Sequence, residues 1–577
     1  MIESIETSPA VGTGGCVGTR SCGAARVAGR RAMRLVRIAR RSVAVGVVLA
    51  AAGVNASHAW AQAVAPGTAA VCRGLTAAAG DHLVIASARW MSAGPPPAGL
   101  SRMFPMLGQA RLPAHCLVRG VLDPRVGVGG VKYGLGFELR LPLNWNGRFL
   151  FQGGGGLDGA VLPAIGLVPA GGSLALTRGF AVISSDGGHE GQDASFAADQ
   201  QARLDYAYAG LGPIATLGQS LIRRYYGKSA RDSYFAGCSN GGREAMMVAE
   251  RFPDLFNGIV AGDPGFNLSA AAIAEMWNVK HLLAIAPQDA HGAPILSQAL
   301  TQDDLDLVSK TVLQVCDAQD GLRDGMINDV AACHFDPKQL LCRAGSSHDC
   351  LSEPKVRALE AIFGGPKDSA GHALYSDWPF DAGIDTPGWR IWKLGTSPTG
   401  VPNALDATLG VESMRHYFMT PPDPLMTPMT LDFDRVRQAT AQTAALNDAT
   451  GTFFSSYIAR GGKLIIYQGM SDPVFSADAI IAWYRQLMAQ YRQPQQWARL
   501  FLVPGMNHCG GGPATDQFDA LTAVVRWTED GEPPARIIAH GGAFPGVTRP
   551  LCPYPKYARY RSGIPAAEQS FVCASRP

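Results

Sequence analysis

The sequence GCSNG at residues 237–241 decides the fold of this 577-residue chain. An apolar run, YFA at residues 234–236, precedes it, and a run with helical character, REAMMVA at residues 243–249, follows it. A strand, a G-x-S-x-G turn and a helix in this order are typical of the nucleophile elbow of an α/β-hydrolase, where glycines let the strand and the helix pack closely around a strained serine. The alternative is an ordinary Gly/Ser turn in a chain with 68 glycines.

Other apolar runs that end in glycine or polar residues predict buried parallel strands. These runs lie at residues 148–151, 180–184, 258–261, 463–467 and 500–503. Amphipathic stretches at residues 206–226 and 517–528 predict helices between them. Alternating strands and helices indicate an α/β fold, here an α/β-hydrolase core.

Residues 266–452 interrupt this alternation and are rich in Trp, Pro, Gly and Asp. We predict an inserted lid domain at these positions. The first part of the hydrolase core would then be residues 62–265, and the second part residues 453–577. A second domain without a role in the site is the alternative.

Residues 1–61 predict an export signal. Basic residues within 34–41 precede an apolar run at 43–54, and AWA at 59–61 forms an A-x-A cleavage site. Met33, directly before the basic residues, is an alternative start of the protein. We therefore expect a secreted or periplasmic protein without a membrane segment in its mature form, and a membrane anchor is the alternative.

The charge and the cysteines narrow the class of protein further. A net charge of +3 is too close to balance to indicate a nucleic-acid partner. Twelve cysteines, less Cys16 and Cys22 before the cleavage site, leave ten in the mature chain. An even number in an oxidising compartment indicates disulfides. The oligomeric state stays open.

Two residues after the late predicted strands complete a catalytic triad. A serine hydroxyl needs a base to take its proton and a third group to orient that base, and α/β-hydrolases carry them in the order Ser, Asp or Glu, His. Asp472 stands just past the run 463–467, and His508 lies in a Gly-rich loop after the run 500–503. We predict Ser239 as nucleophile, Asp472 as orienting acid and His508 as base. The triad alone fits amide as well as ester hydrolysis.

The neighbours of the triad predict a disulfide between Cys238 and Cys509. If Ser239 and His508 come within hydrogen-bond reach, the adjacent cysteines approach the Cα separation of roughly 4.4–6.8 Å that a disulfide requires. Two unrelated buried thiols are the alternative.

Backbone N–H groups are expected to bind the oxyanion of the tetrahedral intermediate. One belongs to Asn240, the residue after the nucleophile. The other is expected from the loop GGGG at residues 153–156, which follows an early strand, and we favour Gly154 or Gly155.

The segment CDAQDGLRDGMIND at residues 316–329 predicts a structural calcium site, because closely spaced acidic residues and glycines suit a hard, oxygen-preferring cation. It is not an EF-hand, since the spacing differs and the final Glu is absent. The expected ligands are the carboxylates of Asp317, Asp320 and Asp324 and the carbonyls of Leu322 and Met326. A solvated acidic turn is the alternative.

Three motifs resemble those of the tannase and feruloyl esterase family of secreted α/β-hydrolases, which also contains mono(2-hydroxyethyl) terephthalate hydrolases. They are GCSNGGRE at 237–244, YQGMSD at 467–472 and VPGMNHC at 503–509, and the resemblance extends over nearly all of the mature chain. It implies a Ser-Asp-His triad, a disulfide beside Ser and His, and a lid that carries calcium. It also implies the pairs Cys72–Cys116, Cys316–Cys333, Cys342–Cys350 and Cys552–Cys573.

The substrate contacts follow from the same resemblance. GWRIWKLG at 388–395 resembles the aromatic lid segment of the family, where Trp392 is expected to pack on an aromatic acyl ring. Terephthalate-ester hydrolases have an arginine further along that holds the free carboxylate of the substrate. Here Asp406 or Ala407 stands near that position, and neither can clamp a carboxylate. Arg390 and Arg415 are the candidates to replace it.

The sequence therefore predicts a secreted serine carboxylesterase for small-molecule esters of aromatic, phenolic acids, similar to a feruloyl esterase or tannase. The alternative with the same chemistry is a terephthalate monoester hydrolase. The alternative from another class is a non-catalytic, calcium-stabilised binding protein with a degenerate hydrolase core.

Overall fold

The computed structural model describes residues 67–96, 107, 110–167, 170–345 and 348–576. The predicted export signal at residues 1–61 and the alternative start at Met33 lie outside these residues. None of the helices in the described ranges combines the length and the apolar character that crossing a bilayer requires.

A nine-stranded sheet forms the centre of the molecule. Its strands in chain order are β1 (Leu83–Met91), β2 (His115–Val126), β3 (Lys132–Pro142), β4 (Arg148–Gln152), β5 (Ala181–Ser185), β6 (Asp232–Cys238), β7 (Gly258–Gly262), β8 (Lys463–Gly469) and β9 (Ala498–Val503). They lie in the order β1-β2-β3-β5-β4-β6-β7-β8-β9. The pairs from β1 to β5 in this order are antiparallel, and the pairs from β5 to β9 are parallel.

The predicted strands are the parallel part of the sheet. All five apolar runs, and the run 234–236 before the serine, correspond to β4 to β9, and only Phe180 lies outside, one residue before β5. The register sets Leu150 opposite Tyr234, and Tyr234 opposite Gly258. The carboxyl ends of these strands therefore meet at one edge, which is where ligands bind in α/β sheets.

Side chains alternate between two cores on the two faces of the sheet, as the two-residue period of a strand requires. In β4, Phe149 and Phe151 face one core and Leu150 faces the other. The first core is covered by helices Leu211–Tyr226, Asn240–Arg251 and Ala477–Gln490, and the second by helix Ala520–Glu529. The predicted helices at 206–226 and 517–528 correspond to Leu211–Tyr226, preceded by a π-helical turn at Asp205–Ala209, and to Ala520–Glu529.

Residues 263–462, between β7 and β8, contain helices and no named strand among the residues described there. The helices are Leu268–Leu283, Gln302–Cys316, Glu353–Phe363, Pro387–Lys393, Val411–Ser413, Val436–Asn447 and Ser455–Ala459. They enclose a core of their own that includes Leu282, Leu305 and Leu359. This part, called the β7–β8 segment below, includes the residues predicted as the insertion.

The remaining helices and strands are short. Short helices at Ala69–Gly74 and Gln200–Leu204 precede β1 and helix Leu211–Tyr226, respectively. Two hairpins follow the last long helix: β10 (Ile537–His540) with β11 (Thr548–Leu551), and β12 (Tyr557–Tyr560) with β13 (Phe571–Ala574).

Candidate active site

Ser239 occupies a strained turn between β6 and helix Asn240–Arg251. Its φ of 64° and ψ of −125° lie outside the regions that residues with a side chain favour. Two glycines make the turn possible. A Cβ on Gly237 would lie 2.6 Å from Gly241 O, and a Cβ on Gly241 would lie 2.6 Å from Gly154 O. The turn thus presents the Ser239 hydroxyl at the carboxyl edge of the sheet.

His508 joins Ser239 to Asp472. Its Nε2 lies 2.8 Å from Ser239 Oγ, and its Nδ1 lies 2.9 Å from Asp472 Oδ2. A carboxylate can only accept, so Nδ1–H donates to Asp472 and Nε2 accepts from the serine hydroxyl. The three residues predicted from chain order therefore form one hydrogen-bonded chain across the ends of β6, β8 and β9.

The residues around His508 set the orientation of its ring and shift its pKa. The rings of Trp392 and Phe475 lie edge to face with the imidazole, with centroids 5.5 Å and 5.2 Å away. Burial lowers the pKa of His508, but the charge and hydrogen bond of Asp472, with the charge of Asp263, outweigh it and raise the pKa above the ordinary value of 6.5. The electrostatics of the site thus favour the imidazolium that forms when the serine proton is transferred.

Cys238 and Cys509 form a disulfide with a Cα separation of 6.0 Å, as the adjacency to Ser239 and His508 predicts. The other four pairs implied by the resemblance are also disulfides. The buried Asp263 accepts hydrogen bonds from the N–H groups of Gly469 (2.6 Å) and Cys509 (3.1 Å) and so ties the end of β8 to the histidine loop. Sequence reasoning missed Asp263, because an Asp after a strand is usually a turn residue.

Two buried acids hold the glycine loop at residues 153–156. The N–H of Gly154 donates to Glu244 Oε2 at 2.9 Å, and the N–H of Gly155 donates to Asp158 Oδ1 at 2.9 Å. Asn240 Nδ2 donates to the other Asp158 oxygen at 3.0 Å. The two glycines favoured as oxyanion donors are therefore engaged with carboxyl groups.

The backbone N–H groups of Asn240 and Gly156 donate to no acceptor among the described residues. Both residues line the same cavity as Ser239. Gly156 was not favoured by sequence reasoning, because its three neighbouring glycines look alike without the contacts of Asp158 and Glu244.

Ser239 lies on the walls of two cavities. The smaller, of about 50 Å³, also includes Trp392, Leu268, Ala272 and Glu275, and we call it the Trp392 cavity. The larger, of about 650 Å³, is lined by the glycine loop and Arg111 among others, and we call it the Arg111 cavity. A substrate ester at Ser239 can thus extend into two separate cavities.

The arginines expected at the substrate lie elsewhere. Arg390 lines neither cavity, and its Nη2 donates to Ser297 O at 2.6 Å. Arg415 is also absent from both walls and pairs with Glu412 at 2.8 Å. Helix geometry explains why Arg390 lies away from the cavity of Trp392: two residues apart on a helix, the two side chains face different directions.

The acidic loop at residues 316–329 is partly buried. Asp320 is 1% exposed, and burial raises its pKa to about 6. Asp317 accepts from the N–H groups of Asp324 and Gly325, and Asp324 pairs with Arg549. The carbonyls of Leu322 and Met326 accept no hydrogen bond from another described residue. The loop therefore offers buried carboxylates and unused carbonyl oxygens, the donor set that calcium prefers.

The carboxylates of this loop are not gathered around one point. Within the described residues, the one group of three His, Cys, Asp or Glu side chains whose ligand atoms lie within 4.8 Å of one another is Cys238, Asp263 and Cys509. Those cysteines form a disulfide, so this group is not a metal site.

Comparison with known proteins places this geometry in a family. The family model described as tannase and feruloyl esterase matches residues 116–574. Mono(2-hydroxyethyl) terephthalate hydrolase of Piscinibacter sakaiensis is 39% identical over 88% of this chain and 92% of that protein. Feruloyl esterase C of Talaromyces stipitatus is 28% identical over 72% of this chain and 78% of that protein.

Two solved structures share the fold. Feruloyl esterase B from Aspergillus oryzae matches with a TM-score of 0.73 and 24% identity, over 88% of this chain and all of that chain. Tannin acyl hydrolase from Aspergillus niger matches with a TM-score of 0.68 and 21% identity, over 89% of this chain and 96% of that chain.

Proposed function

The chain belongs to the tannase and feruloyl esterase family and is a carboxylic ester hydrolase, and we propose that it cleaves esters of aromatic, phenolic acids by a serine mechanism. The observation that carries this proposal is the hydrogen-bonded chain from Ser239 through His508 to Asp472, with distances of 2.8 and 2.9 Å. The aromatic ring of Trp392 on the wall of the smaller cavity supports an aromatic acyl group.

The reaction proceeds through an acyl-enzyme. Ser239 Oγ attacks the ester carbonyl as His508 Nε2 takes its proton, and Asp472 stabilises the imidazolium. The backbone N–H of Asn240 binds the oxyanion, together with a loop N–H, for which Gly156 is the group without an acceptor. The tetrahedral intermediate collapses, and His508 protonates the departing alkoxide. His508 then takes a proton from water, whose oxygen attacks the acyl carbon, and as this second tetrahedral intermediate collapses His508 returns the proton to Ser239 Oγ and the acid is released.

The β7–β8 segment serves as a lid over this site. Trp392, Leu409 and Phe418 from this segment line the cavity at Ser239, so its residues select the acyl group. Calcium bound by the loop at 316–329 stabilises the segment, and the buried Asp320 and the unused carbonyls of Leu322 and Met326 support this role. Export to the periplasm or medium is supported by five disulfides, which persist in oxidising compartments.

Substitution of the nucleophile tests the mechanism. Ser239→Ala is expected to abolish hydrolysis of a chromogenic aromatic ester and labelling by a fluorophosphonate probe, while the melting temperature is kept. Activity that persists in this variant contradicts the triad. Absence of labelling in the unsubstituted protein favours the binding-protein alternative.

The relative at 39% identity favours a second candidate, a terephthalate monoester hydrolase. Against it, Asp406 is buried and paired with Lys393 at 3.0 Å, so that position offers no free cation to a substrate carboxylate. Turnover of methyl ferulate, a gallate ester and mono(2-hydroxyethyl) terephthalate by the same preparation separates the two. Preferred turnover of the terephthalate ester supports the second candidate.

A further inference from the structure

Glu275 is a buried acid on the wall of the Trp392 cavity. It is 8% exposed and accepts or donates no hydrogen bond among the described residues. The hydroxyl groups that share this cavity all have partners: Ser239 with His508, Tyr206 with Gly156 O, and Ser413 with Leu409 O. A buried polar group without a partner is costly, so a site that keeps one is built to bind something there.

The helix that carries Glu275 starts beside the nucleophile. The N–H of Gly265 donates to Ser239 O at 3.2 Å, and the helix Leu268–Leu283 begins three residues later. Leu268, Ala272 and Glu275 follow one another on one helix face, all three on the cavity wall. At 1.5 Å per residue, Glu275 lies about 10 Å along the axis from Leu268. An acyl group attached to Ser239 that enters this cavity therefore contacts the helix face on which Glu275 lies.

Gly410 makes room for the carboxyl group. Its φ of −63° and ψ of −48° are helical, so the backbone does not call for glycine, which costs about 1 kcal/mol relative to alanine in a helix. A Cβ at this position would lie 2.3 Å from Glu275 Oε2. The reason for glycine at position 410 is therefore space, because the missing side chain lets the Glu275 carboxyl group stay in the cavity.

The charges behind Glu275 determine what it can bind. Asp406 and Lys393 are buried and paired with each other at 3.0 Å, so the cation of Lys393 is already engaged. Burial and then the charge of Asp406 raise the pKa of Glu275 well above its ordinary value, and Lys393 opposes this only in part. A neutral carboxyl group donates through its O–H and accepts through its C=O, which matches a phenolic hydroxyl on both counts.

We propose that Glu275 is the specificity-determining residue of the Trp392 cavity: it hydrogen-bonds a phenolic hydroxyl on the acid part of the substrate and disfavours a free carboxylate at the same place. The inference rests on the proposed function and names the group that recognises its substrate class. A substrate carboxylate here would place a second negative charge beside Asp406 with no free cation, and an unpaired buried charge is strongly unfavourable. Leu268, Ala272 and Phe418 on the same wall are apolar and suit the ring.

The test compares kcat/KM for methyl 4-hydroxycinnamate, methyl cinnamate and the cinnamate ester with a 4-carboxyl group. The unsubstituted protein is expected to prefer the hydroxylated over the plain ester by about tenfold, the effect of one hydrogen bond, and to hydrolyse the carboxylated ester most slowly. Glu275→Leu should bring the ratio of hydroxylated to plain ester close to one, whereas Glu275→Gln should keep most of it, because an amide also donates and accepts. The control Glu412→Gln changes an exposed acid near the same helix and should leave the ratio as it is.

Gly410→Ala provides an independent variant, since its Cβ displaces the Glu275 carboxyl without changing it. It should reduce the same ratio. Melting temperature and the rate of fluorophosphonate labelling show whether each variant is folded with a reactive Ser239. A ratio unchanged in both Glu275→Leu and Gly410→Ala overturns the inference and leaves the proposed function intact. Faster turnover of the carboxylated ester by the unsubstituted protein also overturns the inference, and it favours the second candidate function with the same serine mechanism. Lack of turnover of every ester, without labelling of Ser239, instead removes the proposed function and this inference with it.

Discussion

At the residue scale, the pKa of His508 determines the pH range of activity. The base must be neutral to take the serine proton, and its pKa is raised above 6.5 because two acids outweigh the effect of burial. Activity is therefore expected to fall as the pH decreases through a value above 6.5, earlier than with an ordinary histidine. The measurement is the pH profile of kcat/KM for a chromogenic aromatic ester. An acid limb centred well below pH 6.5 contradicts the assignment of the raised pKa.

Asp263→Asn should move this limb to lower pH, because Asp263 is one of the two acids that raise the pKa of His508. The exposed Asp530 provides the matched control, since Asp530→Asn removes the same charge at the end of helix Ala520–Glu529, outside both cavities at Ser239. Equal shifts in the two variants would indicate a general charge effect and not a local one.

Asp158 is expected to act on the rate through the glycine loop. Its two oxygens accept from the N–H of Gly155 and from Asn240 Nδ2. Asp158→Asn presents an NH₂ group to one of these donors, which should displace the loop or the start of the helix. We expect kcat to fall roughly tenfold to hundredfold, somewhat less than the loss of an oxyanion donor, with KM little changed. Steady-state kinetics of the variant and of the exposed control Asp193→Asn test this, and a rise in KM alone contradicts it.

The hydrogen-bonded set of Ser239, His508 and Asp472 was predictable from sequence because each member stands within five residues of the end of a strand with a strong apolar signal. The residues that support it were not. Asp158 and Glu244 lie 82 and 90 residues from the atoms they contact, Asn240 Nδ2 and Gly154 N, respectively. Glu275 stands in a helix as an ordinary acid, and its role depends on the missing side chain at Gly410. Such long-range contacts leave no local pattern in the sequence, so they can be identified only from the fold.

At the scale of elements, continuous apolar runs predicted the strands that are buried on both faces. The strands that are partly exposed were not predicted. Every residue of β7 is buried, which makes its run unmistakable. In β1 exposed and partly buried residues alternate, and β2 ends in the mostly exposed sequence DPRV. Antiparallel strands of this kind have mixed composition, since one face meets water.

The acidic loop at 316–329 gives a prediction for metal removal. Bound calcium would neutralise Asp317 and Asp320, both buried and with raised pKa, so its removal leaves them uncompensated. A chelator is expected to lower the melting temperature by several degrees and to affect kcat less than stability. Thermal melts in the presence and absence of chelator, together with elemental analysis of the purified protein, test this prediction. Asp320→Asn should abolish the response to chelator. A chain that holds no calcium and melts unchanged contradicts the site.

At the scale of the whole molecule, one disulfide connects two distant parts of the chain at the point of chemistry. Cys238 and Cys509 are separated by 271 residues and flank Ser239 and His508. Closing so long a loop restricts the unfolded chain strongly, by on the order of 5 kcal/mol in the chain-entropy model, whereas the 8-residue loop of Cys342–Cys350 gives about half of that. The Cys238–Cys509 bridge also holds the nucleophile turn against the histidine loop, so stability and activity depend on the same bond.

The double variant Cys238→Ala, Cys509→Ala should therefore lose both properties. We expect a lower melting temperature and a fall in kcat, because the 2.8 Å contact of His508 Nε2 with Ser239 Oγ is no longer braced by its neighbours. The matched variant Cys342→Ala, Cys350→Ala removes a disulfide that closes a short loop outside both cavities. It should lower the melting temperature less than the first variant does and leave kcat unchanged. Melting temperatures and steady-state kinetics of the two variants distinguish the effect of the bridge on stability from its effect on catalysis. If both lose kcat alike, the bridge at the triad acts through global stability; if only the first does, it positions the base for the serine.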